Sequence, residues 1–224
     1  MPRILITSGP TRQYLDPVRF LTNASSGRMG CALAKAALSA GCEVCVVSGP
    51  VEIAYPCAAE VVPVVSTEEM LEASLAVFPS CDGLIAVAAP CDYRPITVQP
   101  HKIAKTGQPL TLQLVETPDI VASLAGIRTS QWLVAFALET RDRHMRAMQK
   151  LERKSCDLIV LNGPGAICAQ NTEVEVITRK GEVICTLAGS KDDVAMGIFR
   201  VIQERLMQPT EPAGREPRTR KAPL

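Results

Sequence analysis

Apolar residues fall into short unbroken runs along this chain, and amphipathic stretches separate them. Arg3–Ser8 (RILITS) precedes a helix-period segment at Gly27–Ala40, Glu43–Ser48 (EVCVVS) precedes Thr67–Phe78, and Gly83–Ala89 (GLIAVAA) closes the first half. Runs apolar at consecutive positions need cover on both faces, which crossover helices give to the strands of a parallel sheet. The rhythm returns later, with a helix from about Asp119, a strand at Trp132–Leu138, a helix at Asp142–Lys154 and a strand at Leu158–Leu161. A hairpin, TEVEVITRKGEVICTLAG, turns at Lys180-Gly181, and a last helix runs from Asp192 to about Leu206 with Ser190 as its cap. The pattern predicts an α/β protein with helices on both faces of a mostly parallel sheet.

One stretch breaks the rhythm. Between Asp92 and Asp119 the chain reads DYRPITVQPHKIAKTGQPLTLQLVETPD, with prolines at 95, 100, 109 and 118, several basic residues and one alternating strand, LTLQLVE. That composition predicts an arm or flap, about residues 93–118, projecting from one domain that spans 1–207. The end, residues 208–224 (QPTEPAGREPRTRKAPL), has four prolines and almost no apolar residues and is expected to be a disordered tail. There is no internal repeat.

Composition narrows the function classes. The 224 residues are 47% hydrophobic and 21% charged, ordinary for a globular protein, and 24 basic against 23 acidic side chains leave a formal charge of +1. No global field steers this chain to nucleic acid or to an anionic membrane, so any anion site is local. The apolar run at the N-terminus is too short for a signal peptide, and no stretch of about 18 apolar residues could span a bilayer, so the expected location is cytoplasmic. Nine cysteines, an odd number scattered through apolar runs, suit buried reduced thiols. The one CxxC, Cys42 to Cys45, has no second Cys or His pair near it to complete a metal site.

The densest polar stretch, SGPTRQYLDPVRFLTNASSGRMG, follows the first strand, where open α/β sheets bind ligands. It is neither GxGxxG nor GxxxxGK[ST]. Ser25, Ser26 and Gly27 stand at a predicted helix start, where unpaired N–H groups and the helix dipole favour a phosphate; a serine-capped helix with glycines for packing explains them equally well. Asn23 is a loop amide, suited to a cap or to a ligand. Arg12, Asp16 and Arg19 share that loop, and Asp16 before Pro17 suits a turn. At the end of GLIAVAA, the small residues Ala88 and Ala89 leave room for a flat ring, and Asp92 could bind a hydroxyl, an amine or Mg²⁺ or simply open a turn. Lys102 and Lys105, in the arm, are mobile cations or merely solvated ones. Phe136 reads as core, and Glu139 as a cap for the next helix. Lys150 and Lys154, at i and i+4, form an exposed basic stripe or meet a polyphosphate. His101 and His144 lie far apart, and no triad is expected.

Taken together, ILITSGPTRQYLDPVRFLTNASSGRMG, VSGPV, AAPCDYRP with KIAK after it, TPDIV, FALET and DLIVLN resemble one family, phosphopantothenate–cysteine ligase. The motifs occur in order over about residues 3 to 205. The resemblance implies a Rossmann-like doubly wound sheet, a homodimer toward whose second subunit the arm reaches, and a ligase of coenzyme A biosynthesis. That enzyme joins 4′-phosphopantothenate and L-cysteine through an acyl-nucleotide with release of pyrophosphate. CTP is the co-substrate of bacterial members and ATP of animal ones, with Mg²⁺ as cofactor. Bacterial members are often fused to a flavin-dependent decarboxylase; here only the ligase half is present, which leaves a separate decarboxylase as a candidate partner.

The resemblance also assigns residues. It places Asn23 at the acyl intermediate and the second half-reaction, and Lys102 at formation of that intermediate. Ala88, Ala89 and Asp92 match the nucleotide-binding strand end, Phe136 stands beside the nucleotide, and Gly9, Ser25, Ser26 and Gly27 face phosphate. Lys150 and Lys154 match positions near the triphosphate. Three departures bear on nucleotide choice and on the arm: Pro90 and Cys91 in AAPCDYR, Gly163 where an acid is usual, and Ala104 in KIAK. Two other readings remain in view. An NAD(P)-binding reductase would want GxGxxG after the first strand and an acid after the second, where this chain has SGPT and VVSGPV. A non-catalytic nucleotide-binding protein on the same scaffold would follow if the departures had removed the nucleotide, and retention of Asn23, Asp92 and Lys102 argues against it.

Overall fold

The computed structural model describes residues 1–138, 141–163 and 171–207. The first apolar run is β1 (Arg3–Ser8), and β2 (Arg12–Tyr14) and β3 (Phe20–Thr22) form a small antiparallel hairpin of their own before α1 (Arg28–Ser39). Then come β4 (Glu43–Ser48), β5 (Glu60–Pro63), α2 (Thr67–Val77), a single 3₁₀ turn at Phe78–Ser80, and β6 (Gly83–Ala86). The arm is a short ladder, β7 (Tyr93–Pro95) against β8 (Leu114–Glu116). The second half holds α3 (Ile120–Ile127), β9 (Trp132–Leu138), α4 (Arg143–Arg153), β10 (Leu158–Asn162), β11 (Asn171–Thr178), β12 (Val183–Ser190) and α5 (Lys191–Ile202), which runs on in a wider turn through Met207.

Eight strands form one sheet in the order β12-β11-β10-β9-β6-β1-β4-β5. All pairs are parallel, β9–β10 included, except β10–β11 and β11–β12, where the hairpin returns antiparallel. Ile4, Leu5 and Ile6 of β1 are fully buried, alternating between two cores. Ile4 and Ile6 face α1 and α5, whereas Leu5 faces the side covered by α2, α3 and α4. Each such side chain contributes roughly 1.5–3 kcal/mol by leaving water, which is why the run is apolar at consecutive positions. The sheet is the doubly wound, Rossmann-like one that the sequence predicts.

Some boundaries differ for local reasons. β6 ends at Ala86, and the chain beyond it leaves the ladder, returning only as a bridge between Ala89 and Pro10. The expected Leu110–Glu116 strand is cut to its last three residues because its partner β7 ends at Pro95, opposite Leu114. The β2–β3 hairpin and β5 had no periodic signal, being only three or four residues long. Glu139 and the tail at 208–224 lie outside the described residues.

Candidate active site

β1 and β6 are neighbours in the sheet, yet the chain leaves β1 toward α1 on one face and reaches α3 on the other. The crevice at such a switch point, beyond the carboxyl ends of the strands, is where α/β sheets hold ligands. Here it is a cleft of about 1180 Å³. The loop Asn23–Gly30 forms one wall, Ala86–Pro90 with Asp92 the floor, and α4 the opposite wall with Arg146, Gln149, Lys150, Arg153 and Lys154.

The α1 wall decides between the two readings of its serines. Ser66, Asp119 and Ser190 cap α2, α3 and α5 with side-chain oxygens, whereas α1 begins at Gly27 with no side-chain cap. Neither Ser25 nor Ser26 caps it, so the N–H groups of the first turn open into the cleft with the positive end of the helix dipole. Gly27 has φ +71°, and a Cβ there would lie 2.9 Å from Val51 Cγ1, so both backbone and space demand glycine. Gly30 permits close packing of α1 on β1: a Cβ would come within 2.0 Å of Ser8 Oγ. Tyr55 Oη donates to Ser8 Oγ at 2.8 Å and lies 2.9 Å from Ser48 Oγ, a hydroxyl network that stiffens the ground behind the loop.

The floor is held by threonines. Cys91 N donates to Thr11 Oγ1 at 2.7 Å, and Cys91 O accepts from Thr67 Oγ1 at 3.1 Å and Thr117 Oγ1 at 2.7 Å. Both main-chain groups of Cys91 are thus fixed, and its neighbour Asp92 presents an exposed carboxylate to the cleft. Asn23 Nδ2 donates to Pro90 O at 2.8 Å, which ties the α1 wall to the floor and leaves Oδ1 as the acceptor of that amide.

Lys154 is already partnered, with Nζ 2.9 Å from Asp119 Oδ1 in a half-buried pair. Burial pushes the Asp119 carboxyl up, but the bond and charge of Lys154 and the N–H of Ala122 outweigh it and hold the group below the usual range. The stripe on α4 is broader than the two lysines suggest: Arg146, Lys150, Arg153 and Lys154 fall at i, i+4, i+7 and i+8, a helical spacing that was there to be read. Asn162 at the end of β10 and Lys191 at the start of α5 complete the cleft, and neither had a sequence signal beyond its place at an element end.

Ten of the twelve site residues proposed from sequence line this cleft: Asn23, Ser25, Ser26, Gly27, Ala88, Ala89, Asp92, Phe136, Lys150 and Lys154. Phe136 is half-buried, resting on the core and showing its remaining surface to the cleft. Two are not brought in. Gly9 lies behind the floor, its carbonyl accepting from Ala89 N at 2.9 Å, and Lys102 is exposed on the arm, outside the cleft. The reductase reading gains nothing, because β4 ends at Ser48, engaged with Tyr55, and offers no acid for a ribose.

Asp16 does far more than open a turn. Its carboxylate is fully buried, accepting at Oδ1 from the N–H groups of Val18 and Arg19, both 2.8 Å, and at Oδ2 from Ile103 N at 3.1 Å. Arg19 Nη1 lies 2.8 Å from Oδ2. Burial alone would raise this carboxyl; the three N–H donors and the guanidinium overcome it and hold the group at about 2.

A doubly wound sheet with an uncapped helix start and a basic helix meeting at its switch point defines a Rossmann-like α/β protein with a cleft walled by cationic side chains. Residues 2–206 match the model of the DNA/pantothenate metabolism flavoprotein C-terminal domain, and the chain belongs to that family. Among curated proteins it is similar to the coenzyme A biosynthesis bifunctional protein CoaBC of Vibrio cholerae, 42% identical over 91% of this chain and 53% of that protein. The CoaBC protein of Bacillus subtilis is 46% identical over 90% of this chain and 50% of that protein. The chain therefore spans about half the length of the curated relatives it matches. The crystal structure of the C-terminal domain of a CoaBC protein superimposes with a TM-score of 0.78 at 36% identity, covering 92% of this chain and 96% of that one.

Proposed function

We propose that the cleft joins 4′-phosphopantothenate to L-cysteine through an acyl-cytidylate, the ligase half of the bifunctional activity its relatives are named for. The observation that carries this reading is the convergence of the uncapped start of α1 and the basic face of α4 on one cleft. Such a cleft suits a triphosphate, which needs N–H donors on one side and cations on the other. In the first half-reaction the substrate carboxylate attacks the α-phosphorus of CTP and pyrophosphate leaves. In the second, the cysteine amine attacks the acyl carbon and CMP leaves.

The residues divide this work. Ser25, Ser26 and the first N–H groups of α1 take phosphate oxygens, and Arg146, Lys150 and Arg153 meet the departing pyrophosphate. Lys154 acts at one remove, its charge committed to Asp119, and so sets the position of α3 against α4. Phe136 and the small side chains of Ala88 and Ala89 leave a slot for the flat base. Asn23, with its amide N–H on Pro90, offers Oδ1 as an acceptor for the cysteine amine. Lys102 belongs to the first half-reaction and reaches reacting atoms only through the arm, or from a second subunit of a homodimer.

Magnesium fits this cleft as the nucleotide's companion. Among the described residues no three His, Cys, Asp or Glu side chains cluster as a metal cage. Asp92 and Glu116 are the cleft carboxylates outside the Lys154 pair. One or two carboxylates with substrate phosphates are the usual magnesium set, and the ion would supply charge neutralisation on the triphosphate. No helix among the described residues is long and apolar enough to cross a membrane.

Asn23→Ala tests the division of labour. In single-turnover experiments it should still release pyrophosphate and slow amide formation by roughly a hundredfold. Unchanged amide formation would remove Asn23 from the second half-reaction, and loss of pyrophosphate release would place it in the first.

A further inference from the structure

Why does an exposed arm engage a fully buried carboxylate? Between the β7–β8 ladder's two strands the arm is solvated, with Ile96, Val98 and Leu110 each more than half exposed. Among the described residues, the hydrogen bonds that tie this stretch to the body fall at two points. Gln99 N donates to Leu15 O at 2.9 Å, and Ile103 is held at both its main-chain groups, its N–H by Asp16 Oδ2 and its carbonyl by Arg19 Nη1 at 2.9 Å. Lys102 lies between the two points, its own side chain exposed.

The other end of this clamp is rigid. Asp16 and Arg19 sit in the turn of the β2–β3 hairpin, closed by Leu15 N on Arg19 O at 2.8 Å. Tyr14 and Phe20 pack edge to face at 5.4 Å, and the Arg12 guanidinium lies 4.6 Å over the Phe20 ring. At its foot, Arg12 N donates to Val65 O at 2.8 Å and Thr22 Oγ1 to Thr11 O at 2.8 Å, and the hydroxyl of the same Thr11 accepts from Cys91 N. The hairpin strand then leads directly into Asn23. One continuous hydrogen-bonded path thus joins the cleft floor to Ile103, the residue after Lys102.

We propose that Asp16 is a positioning residue for the arm, fixing Ile103 through its buried carboxylate and so setting where Lys102 can act. The inference deepens the ligase reading, since the use made of Lys102 rests on it, while the clamp itself does not. A turn alone needs the two N–H bonds of Val18 and Arg19 on Oδ1; the second oxygen pairs with Arg19 Nη1 within the turn and also accepts from Ile103 N, and this last bond is what a turn does not require. An N–H bonded to a buried, charged acceptor is also far less available to water than those of a solvated strand.

Three measurements separate the possibilities. In the unaltered protein, residue-resolved hydrogen exchange should show the Ile103 amide protected at least tenfold over those of Ala104 and Lys105; equal exchange would overturn the clamp. In Asp16→Asn, which keeps the shape and removes the charge, trypsin should cut after Lys102 and Lys105 several-fold faster than in the parent, and an unchanged rate would overturn the clamp as well. For positioning, Asp16→Asn should lower kcat for pyrophosphate release about tenfold with little change in KM for CTP, and this loss should vanish in the Lys102→Ala background. The same loss in both backgrounds would show that Asp16 does not act through Lys102 and would overturn the proposal. Should Asp16→Asn fail to fold, the exchange measurement on the parent decides whether the clamp exists. No pyrophosphate release by the parent protein would overturn the ligase reading together with the role of Lys102, whatever the exchange and proteolysis results say of the clamp.

Discussion

The start of α1 and the arm both carry chemistry for one proposed reaction, and they are built in opposite ways. The α1 loop sits on the sheet: Gly27 and Gly30 are buried, their contacts leave no room for a Cβ, and its polar groups face a cleft whose floor is fixed by Thr11, Thr67 and Thr117. The arm stands in solvent, and beyond its ladder it is held at Gln99 by Leu15 O and at Ile103 by the buried Asp16 and by Arg19. Preorganised donors need the first design, because groups that stabilise developing charge work best when they do not reorganise. A cation delivered to a site that must admit and release substrates suits the second, as a tethered segment can move while its anchor stays.

The two regions make unequal demands on stability, and the largest effect belongs to the α1 side. Gly30→Ala forces a Cβ against Ser8 Oγ, and should lower stability by about 3 kcal/mol, at the upper end for overpacking. That is roughly 6–12 °C in melting temperature for a domain of this size, measured by calorimetry. A smaller loss would mean that α1 can slide on β1 and that the wall is not preorganised. On the arm the opposite split holds. Lys102→Gln should slow acyl-nucleotide formation by about a hundredfold, and should move the melting temperature by no more than about 1 °C, since surface substitutions stay within about 0.5 kcal/mol.

The smallest effect is a pH dependence, and it tests the anchor. Asp16 is held at about 2 in the folded protein, below the roughly 3.9 of an unfolded aspartate. Because the folded value is the lower one, its contribution is fully present above about pH 4 and is lost as pH falls toward 2. The stability gap between the parent and Asp16→Asn should therefore narrow over that window and stay constant from pH 5 to 8. A gap that narrowed near neutrality would point to another group.

The long apolar runs made the sheet legible, because strands covered on both faces have no polar positions to confuse the period. The cleft's walls were legible where a helix begins or a stripe repeats, as at Ser25–Gly27 and at Lys150 and Lys154. What could not be read was pairing between distant segments. Asp16 looks like any aspartate before a proline until Ile103, 87 positions away, is found on its second oxygen. Lys154 reads as one cation of a stripe, and nothing near it in sequence shows that Asp119, 35 positions earlier, is its partner. The three threonines around Cys91 carry no signal at all, since a hydroxyl's partner is set by the fold and not by its neighbours in sequence. Gly9 does not line the cleft itself, and a glycine after a strand reads alike whether it faces the cleft or the layer beneath it.

Activation of a carboxylate by a nucleotide in this cleft, as proposed, is tested most directly by pyrophosphate release. With 4′-phosphopantothenate, Mg²⁺ and CTP but no cysteine, the protein should release about one pyrophosphate per site as the acyl-cytidylate forms, and adding cysteine should convert that single release to steady turnover, with ATP the poorer nucleotide. Release that ignores phosphopantothenate, or none with either nucleotide, would contradict it.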